Sequence, residues 1–266
     1  MTTLSVSFAD LTLASLLVVA LAVLSLRLRL AIHRQILIAG ARTFLQLLLI
    51  GFVLKWLFAH ASWRWITTIA VVMVAIAGVE VVHRQKHRFK GPWGYGIGTF
   101  AMLVSSFVIA HLALRYLIES TPWYAPRYFI PILGMLLGNT MNGIALGIDR
   151  LTDTALREKA TIEGQLLEGF TADQAIAAIR KDSLRTGLIP IINAMAIAGL
   201  VSLPGMMTGQ ILAGALPIEA VKYQILIMFL IAGGTGFGTL IAVSLGARRL
   251  FDERDRLRLD RLRQRS

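Results

Sequence analysis

Asn139 and Asn142 stand three residues apart in an almost wholly apolar stretch, where two carboxamides can donate and accept hydrogen bonds with no water at hand. Inside a hydrophobic helix such groups are costly unless paired. They are therefore expected to face other protein, either as interhelical hydrogen bonds or as contacts to a polar substrate. Arg42 and Gln46, four residues apart, must point the same way from a second apolar segment. Glu80 ends a third segment beside Arg84, Lys86 and Arg88, and that basic cluster is its expected partner. His83 and His87 are also four apart. At helical spacing they can form a metal clasp, against the alternative of a basic turn facing lipid headgroups. Met135, Met141, Met195, Met206 and Met207 offer thioether sulfur, a weak ligand for soft metals and equally a common packing group.

Much other chemistry has no residues to carry it. The chain has no cysteine, which removes disulfides, thiolate metal sites and thiol nucleophiles. Neither Gly-x-x-x-x-Gly-Lys-Ser/Thr nor Gly-x-Gly-x-x-Gly occurs, so nucleotide hydrolysis would belong to another chain and no cofactor is expected on this one. Gly94, Gly96 and Gly98 open an apolar helix and read as close-packing positions. An intramembrane enzyme finds no Gly-x-Ser-x-Gly elbow and no Asp-rich metal signature. A secondary carrier should show paired transmembrane acids or an internal repeat, and no repeat is visible.

These residues are carried by a membrane protein. Of 266 residues 56% are hydrophobic and the mean hydropathy is +0.69, far too apolar for one soluble core. The expected fold is all-α, a single-domain bundle over residues 1–266 with seven spans. They run approximately Phe8 to Leu26, Ile36 to Phe58, Trp65 to Val82, Trp93 to Ile118, Phe129 to Ile148, Gly187 to Leu212 and Val221 to Leu245. The first lacks a basic leader and a small-residue cleavage site, so it is expected to be retained.

The net charge of +12 is topology rather than nucleic-acid binding, because Lys and Arg cluster between spans. Basic residues crowd the connectors after the first, third, fifth and seventh spans, which places those in the cytoplasm and the N-terminus outside. The tail, residues 248–266, holds eight arginines and is expected to prolong the last helix, held by anionic lipid or by a partner subunit.

Two segments stand out for their local chemistry. Residues 149–186 form a polar insertion in which Gly169 can leave a helix in the left-handed conformation. Thr171 and Gln174 then make a capping box, with Asp173 in the first turn of the next helix. In the sixth span Ser202, Pro204, Met206 and Met207 sit among glycines, so that helix should kink or break at membrane depth. A broken helix is tolerated there when buried in protein or lining a wet cavity. The segment thus reads either as a packed kink or, with Asn139, Asn142, Arg42 and Gln46, as part of a translocation path.

The run Gly199 to Gly209 with Ala213-Gly214 and Ala220 to Ile225, the run Ile130 to Met135 through Gly138-Asn139, and Arg180 with Asp182 to Arg185 and Leu188 to Pro190 resemble the FetB-type ABC transporter permease family. The resemblance covers most of the chain and is strongest from Phe129 onward. It implies a multi-pass inner-membrane permease, homodimeric, driven by a separate ATPase subunit that binds ATP and Mg²⁺. Its members include bacterial subunits assigned to iron export and plant relatives linked to aluminium tolerance, so a metal ion or metal-linked solute is the implied substrate. The cytoplasmic loop is similar to an EAA coupling loop, with Glu163 six residues before Gly169. Glu163, Gly169, Thr171, Asp173, Gln174, Arg180 and Arg185 are the implied ATPase contacts. The loop departs from that pattern in carrying Gly164 and Gln165 in place of two alanines, and Ile179 to Asp182 where an Ile-x-Leu-Pro ending would fall.

Overall fold

The computed structural model describes residues 7–60 and 62–264, so the last two residues of the tail lie outside it. The chain divides into two compact units, Met1–Ala61 and Ser62–Ser266. In the first, α1 (Phe8–Arg27) packs on α2 (His33–Ala59). The start of α1 is set by a capping box between Ser7 and Asp10.

In the second unit, α3 (Trp63–His83) leads to the short strand β1 (His87–Phe89). Next, α4 (Pro92–Met102) continues through a π-helical turn into α5 (Val108–Leu112) and a further π turn, together one apolar rod from Pro92 to Leu117. Then α6 (Pro126–Arg157) packs against α3 and the rod. It is followed by α7 (Lys159–Leu167), α8 (Ala172–Ala175), α9 (Ala177–Ile197), α10 (Gly205–Leu212) and α11 (Pro217–Arg249). Helices α9 and α11 pack on α6 and on each other.

The membrane core is made of small residues where these three helices cross. A methyl group built on Gly143 would lie 2.6 Å from Thr239 Oγ1 and 3.0 Å from the Gly187 carbonyl oxygen, and one on Gly187 would lie 2.6 Å from the Gly143 carbonyl oxygen. Backbones touch there, as small residues allow in lipid. The expected packing role holds for Gly94, where a methyl would meet the Phe89 carbonyl oxygen at 2.5 Å, and for Gly98, where it would lie 3.0 Å from Val81, but not for Gly96, which has nothing within 4 Å.

Among the described residues six helices are long and apolar enough to cross a membrane: α1, α2, α3, the rod, α6 and α11. The expected sixth span is not a single helix. After Ile197 the backbone turns through Gly199 at φ +81°, forms a bridge between Ala198 and Ser202, and restarts at Pro204, which caps α10. The break foreseen from Pro204 and its glycines is therefore present, and α10 has only eight residues.

Three expectations need correction. First, the polar insertion begins later than residue 149, because α6 runs on to Arg157 with Leu151, Thr152 and Ala155 buried. Asp149, Arg150 and Asp153 are the polar face of a helix whose other face is packed. Second, the tail does not prolong α11. Beyond Arg249 it folds back, Arg258 N–H donating to the Leu250 carbonyl at 2.7 Å, and ends in strand β2 (Leu262–Gln264), antiparallel to β1 with Phe89 opposite Leu262. The bundle is thus helical save for this two-stranded sheet. Leu262, Phe251 and Phe89 are buried in the closure, and the Arg261 guanidinium donates to the Arg249 and Phe251 carbonyls at 2.9 Å, closing the end of α11. Third, His83 and His87 cannot act as a helical pair, because α3 stops at His83 and His87 lies in β1.

Candidate functional site

The loop between α6 and α9 takes its shape from local signals. After α7 the chain leaves through Gly169 at φ +92°, a conformation that glycine adopts without cost. Thr171 Oγ1 accepts from Gln174 N–H at 3.4 Å while Gln174 Oε1 accepts from Thr171 N–H at 2.9 Å, so the foreseen capping box starts α8. Asp173 accepts from the Arg180 guanidinium, and that hydrogen bond holds its carboxyl below the usual carboxylate range. Glu163 pairs with Lys159 at 3.7 Å and Asp182 with Arg150 at 2.6 Å. Arg185 is exposed.

Sequence reasoning passed over the two apolar side chains at the tip. Leu167 is 90% exposed and Phe170 47%, one on each side of Gly169 and amid polar neighbours. The signal was available: two large apolar residues flanking a helix-ending glycine in a polar connector. Behind the loop, α8 faces the end of α11 and the turn of the tail across a cavity of about 300 Å³ bounded by Asp173, Ile176, Arg248, Phe251 and Asp252. Loop and tail thus form one surface at the same end of the bundle. The connector bearing β1 is tied to the same end, because the Lys86 N–H donates to Asp149 at 2.6 Å and the Thr152 hydroxyl to the His87 carbonyl at 3.2 Å.

The residues expected along a path fall into separate places. Asn139 donates to the Met135 carbonyl in its own helix at 2.8 Å, while Asn142 accepts from the Arg84 guanidinium. Arg84 also reaches Glu80 at 3.3 Å, so Glu80 has its basic partner and the amide joins an ion pair that sequence alone did not connect. Arg42 and Gln46 lie on α2, in the other compact unit, and both are exposed. Pro204 and Met207 are elsewhere, on the wall of a cavity of about 560 Å³ at the helix break, together with Met195, Leu203, Gln224 and Met228. Ser202 and Met206 are not on that wall.

Gln224 and Met228 were not foreseen. Gln224 is 7% exposed and its Oε1 has no hydrogen-bond partner among the described residues. Its signal was the one that marked Asn139, an amide within an apolar helix. Asn193, exposed near the end of α9, carries the same signal. No group of three or more His, Cys, Asp or Glu side chains that could hold a metal occurs among the described residues.

Six helices among the described residues that are long and apolar enough to cross a bilayer define a multi-pass membrane protein, in which the chain also breaks between α9 and α10 beside a cavity. The chain belongs to the family described as "Uncharacterised protein family (UPF0014)", whose model matches residues 8–251. It is 38% identical over 223 residues to "UPF0014 membrane protein slr1647" of Synechocystis sp. (strain ATCC 27184 / PCC 6803 / Kazusa), covering 84% of this chain and 85% of that one. It is 32% identical over 257 residues to "Probable iron export permease protein FetB" of Escherichia coli (strain K12), covering 96% of each. It is 34% identical over 234 residues to "Protein ALUMINUM SENSITIVE 3" of Arabidopsis thaliana, covering 87% of this chain and 83% of that one. No solved structure matches.

Proposed function

We propose that this chain is the membrane-spanning permease subunit of an ABC transporter, a homodimer that exports iron or another metal-linked solute. A separate ATPase subunit drives it and holds the ATP and Mg²⁺. The observation that carries the reading is the cytoplasmic loop. Two apolar side chains, Leu167 and Phe170, stand out from a capped and ion-paired polar turn, with nothing in the chain covering Leu167. An exposed apolar pair on an ordered scaffold fits a partner protein better than water. The relative named as an iron export permease supports the transport direction and the class of solute.

In this reading seven segments cross the membrane, the broken α9–α10 segment being the sixth. The N-terminus is external, while the loop and tail are cytoplasmic, as the basic connectors require. The single domain then comprises both compact units, and lipid headgroups meet the exposed tail arginines. The test is flux in vesicles reconstituted with this chain and its ATPase. Transport of iron that needs both chains and hydrolysable ATP supports the reading; flux of equal rate without the ATPase would replace it with a secondary carrier. Reporter fusions at Lys86 and Glu163 should be cytoplasmic and those at Trp123 and Pro217 external.

A further inference from the structure

The cavity at the helix break has an unusual set of donors. Three thioethers, from Met195 on α9, Met207 on α10 and Met228 on α11, share its wall with the buried Gln224, whose carboxamide oxygen is unpartnered. Helix α9 also ends at this wall. Its last residue is Ile197, and among the described residues the carbonyls of Ala194, Met195 and Ala196 receive no hydrogen bond from the residues that follow. The C-terminal end of α9, where a helix dipole is negative, borders the cavity through Met195, Ala198 and Gly199, which favours a cation. Broken helices in other membrane proteins meet ions in this way.

The donors are all neutral. No Asp, Glu or His lines the cavity, so nothing there offsets the charge of a divalent or trivalent ion, whose desolvation is the larger cost. Thioethers select soft metals, whereas hard ions prefer an all-oxygen shell, with anionic oxygen when they are highly charged. Charge and softness thus agree on one class of ligand.

We propose that this cavity binds a soft monovalent cation of the Cu⁺ or Ag⁺ type, held by Met195, Met207, Met228 and the Gln224 oxygen beside the C-terminal end of α9. The proposal goes beyond the transport reading, whose solute is iron or another metal-linked species, and assigns a separate soft-ion site at the helix break. The binding itself stands apart. On this account iron and aluminium ions, being harder and more highly charged, are poor occupants of the site.

The experiment is a titration of the purified full chain in detergent with Ag⁺, followed by the ¹³C ε-methyl resonances of its methionines. Of the nine methionines, Met195, Met207 and Met228 should shift together and saturate, and neither Fe²⁺ nor Al³⁺ should displace the ion. Met207→Leu and Met228→Leu keep the side-chain volume and should each weaken binding by at least about tenfold. Met206→Leu, off the cavity wall, serves as the control and should bind as the wild type does. Uniform shifts of all methionines, or wild-type affinity in a Met207→Leu/Met228→Leu double variant, would overturn the site. Saturable Ag⁺ binding in a chain that shows no ATP-driven iron flux leaves the site standing and removes the transport reading. ATP-driven flux without these shifts does the reverse.

Discussion

Substituting Gly187 by alanine probes the crossing of α6, α9 and α11 directly. The new methyl carbon would sit 2.6 Å from the Gly143 carbonyl oxygen and 2.7 Å from Thr239 Cγ2, inside the 3.0 Å that real contacts respect. A backbone carbonyl has no rotamer to retreat into, so the helices must part by roughly 0.4 Å in a core packed to crystal density. Overpacking of this kind costs about 1–3 kcal/mol. Gly138 on α6 and Gly236 on α11 have nothing within 4 Å of the added carbon, and alanine there should gain about 0.5–1 kcal/mol of helix propensity. Gly187→Ala gains the same propensity, so the expected separation between the crowded and the open substitutions is the overpacking cost, about 1–3 kcal/mol. Unfolding of the purified chain in mixed micelles by added SDS measures it. Equal stability of Gly187→Ala and Gly138→Ala would refute the close approach of the backbones.

In the loop, Gly169→Pro and Thr171→Leu should weaken capture of the ATPase subunit while leaving membrane insertion intact, loss of a cap costing about 0.5–2 kcal/mol; undiminished pull-down by both variants would count against the loop as the dock. The hydrogen bond from Arg258 lowers the Asp260 carboxyl to about 2, so its contribution to tail closure is complete above its ordinary value of 3.8 and is lost as pH falls toward 2. A carboxyl NMR titration should find that low midpoint, and Arg258→Leu should return it toward 3.8. Leu262→Asp places a charge in the buried closure opposite Phe89 and should open the tail to protease without disturbing the helices; unchanged digestion would show that β2 holds nothing.

What could be read from sequence was what is local. Thr171 and Gln174 meet across three residues, and Pro204 breaks its helix by its own ring. The spans follow from apolar runs of sufficient length, as the helices from α1 to α3 show. The tail went astray because its alternating arginines and leucines suit a solvated helix, and only the distant β1 supplies the partner that makes it a strand. Residues 149–157 went astray for the opposite reason. Their charges suggested a loop, while Leu151 and Ala155 continued the buried stripe of α6. The cavity was half legible. Met195 and Met207 were marked by type, but their meeting with Gln224 and Met228 depends on how α10 and α11 pack, which no spacing encodes.

The glycine seam divides α9 into two mechanical regimes. Below and at Gly187 the helix is gripped, with Ile179, Ser183 and Gly187 buried against its neighbours. Beyond it stands Pro190, which gives up one rung of the helical ladder, and from there to Ile197 only Ile191 is buried. A displacement applied at the loop before α9 therefore has little slack to dissipate in where the helix begins. It travels along a rod of about 31 Å to the end that is free to swing, and that end borders the cavity. The stiff part of the lever lies near the loop, and the compliant part lies at the cavity.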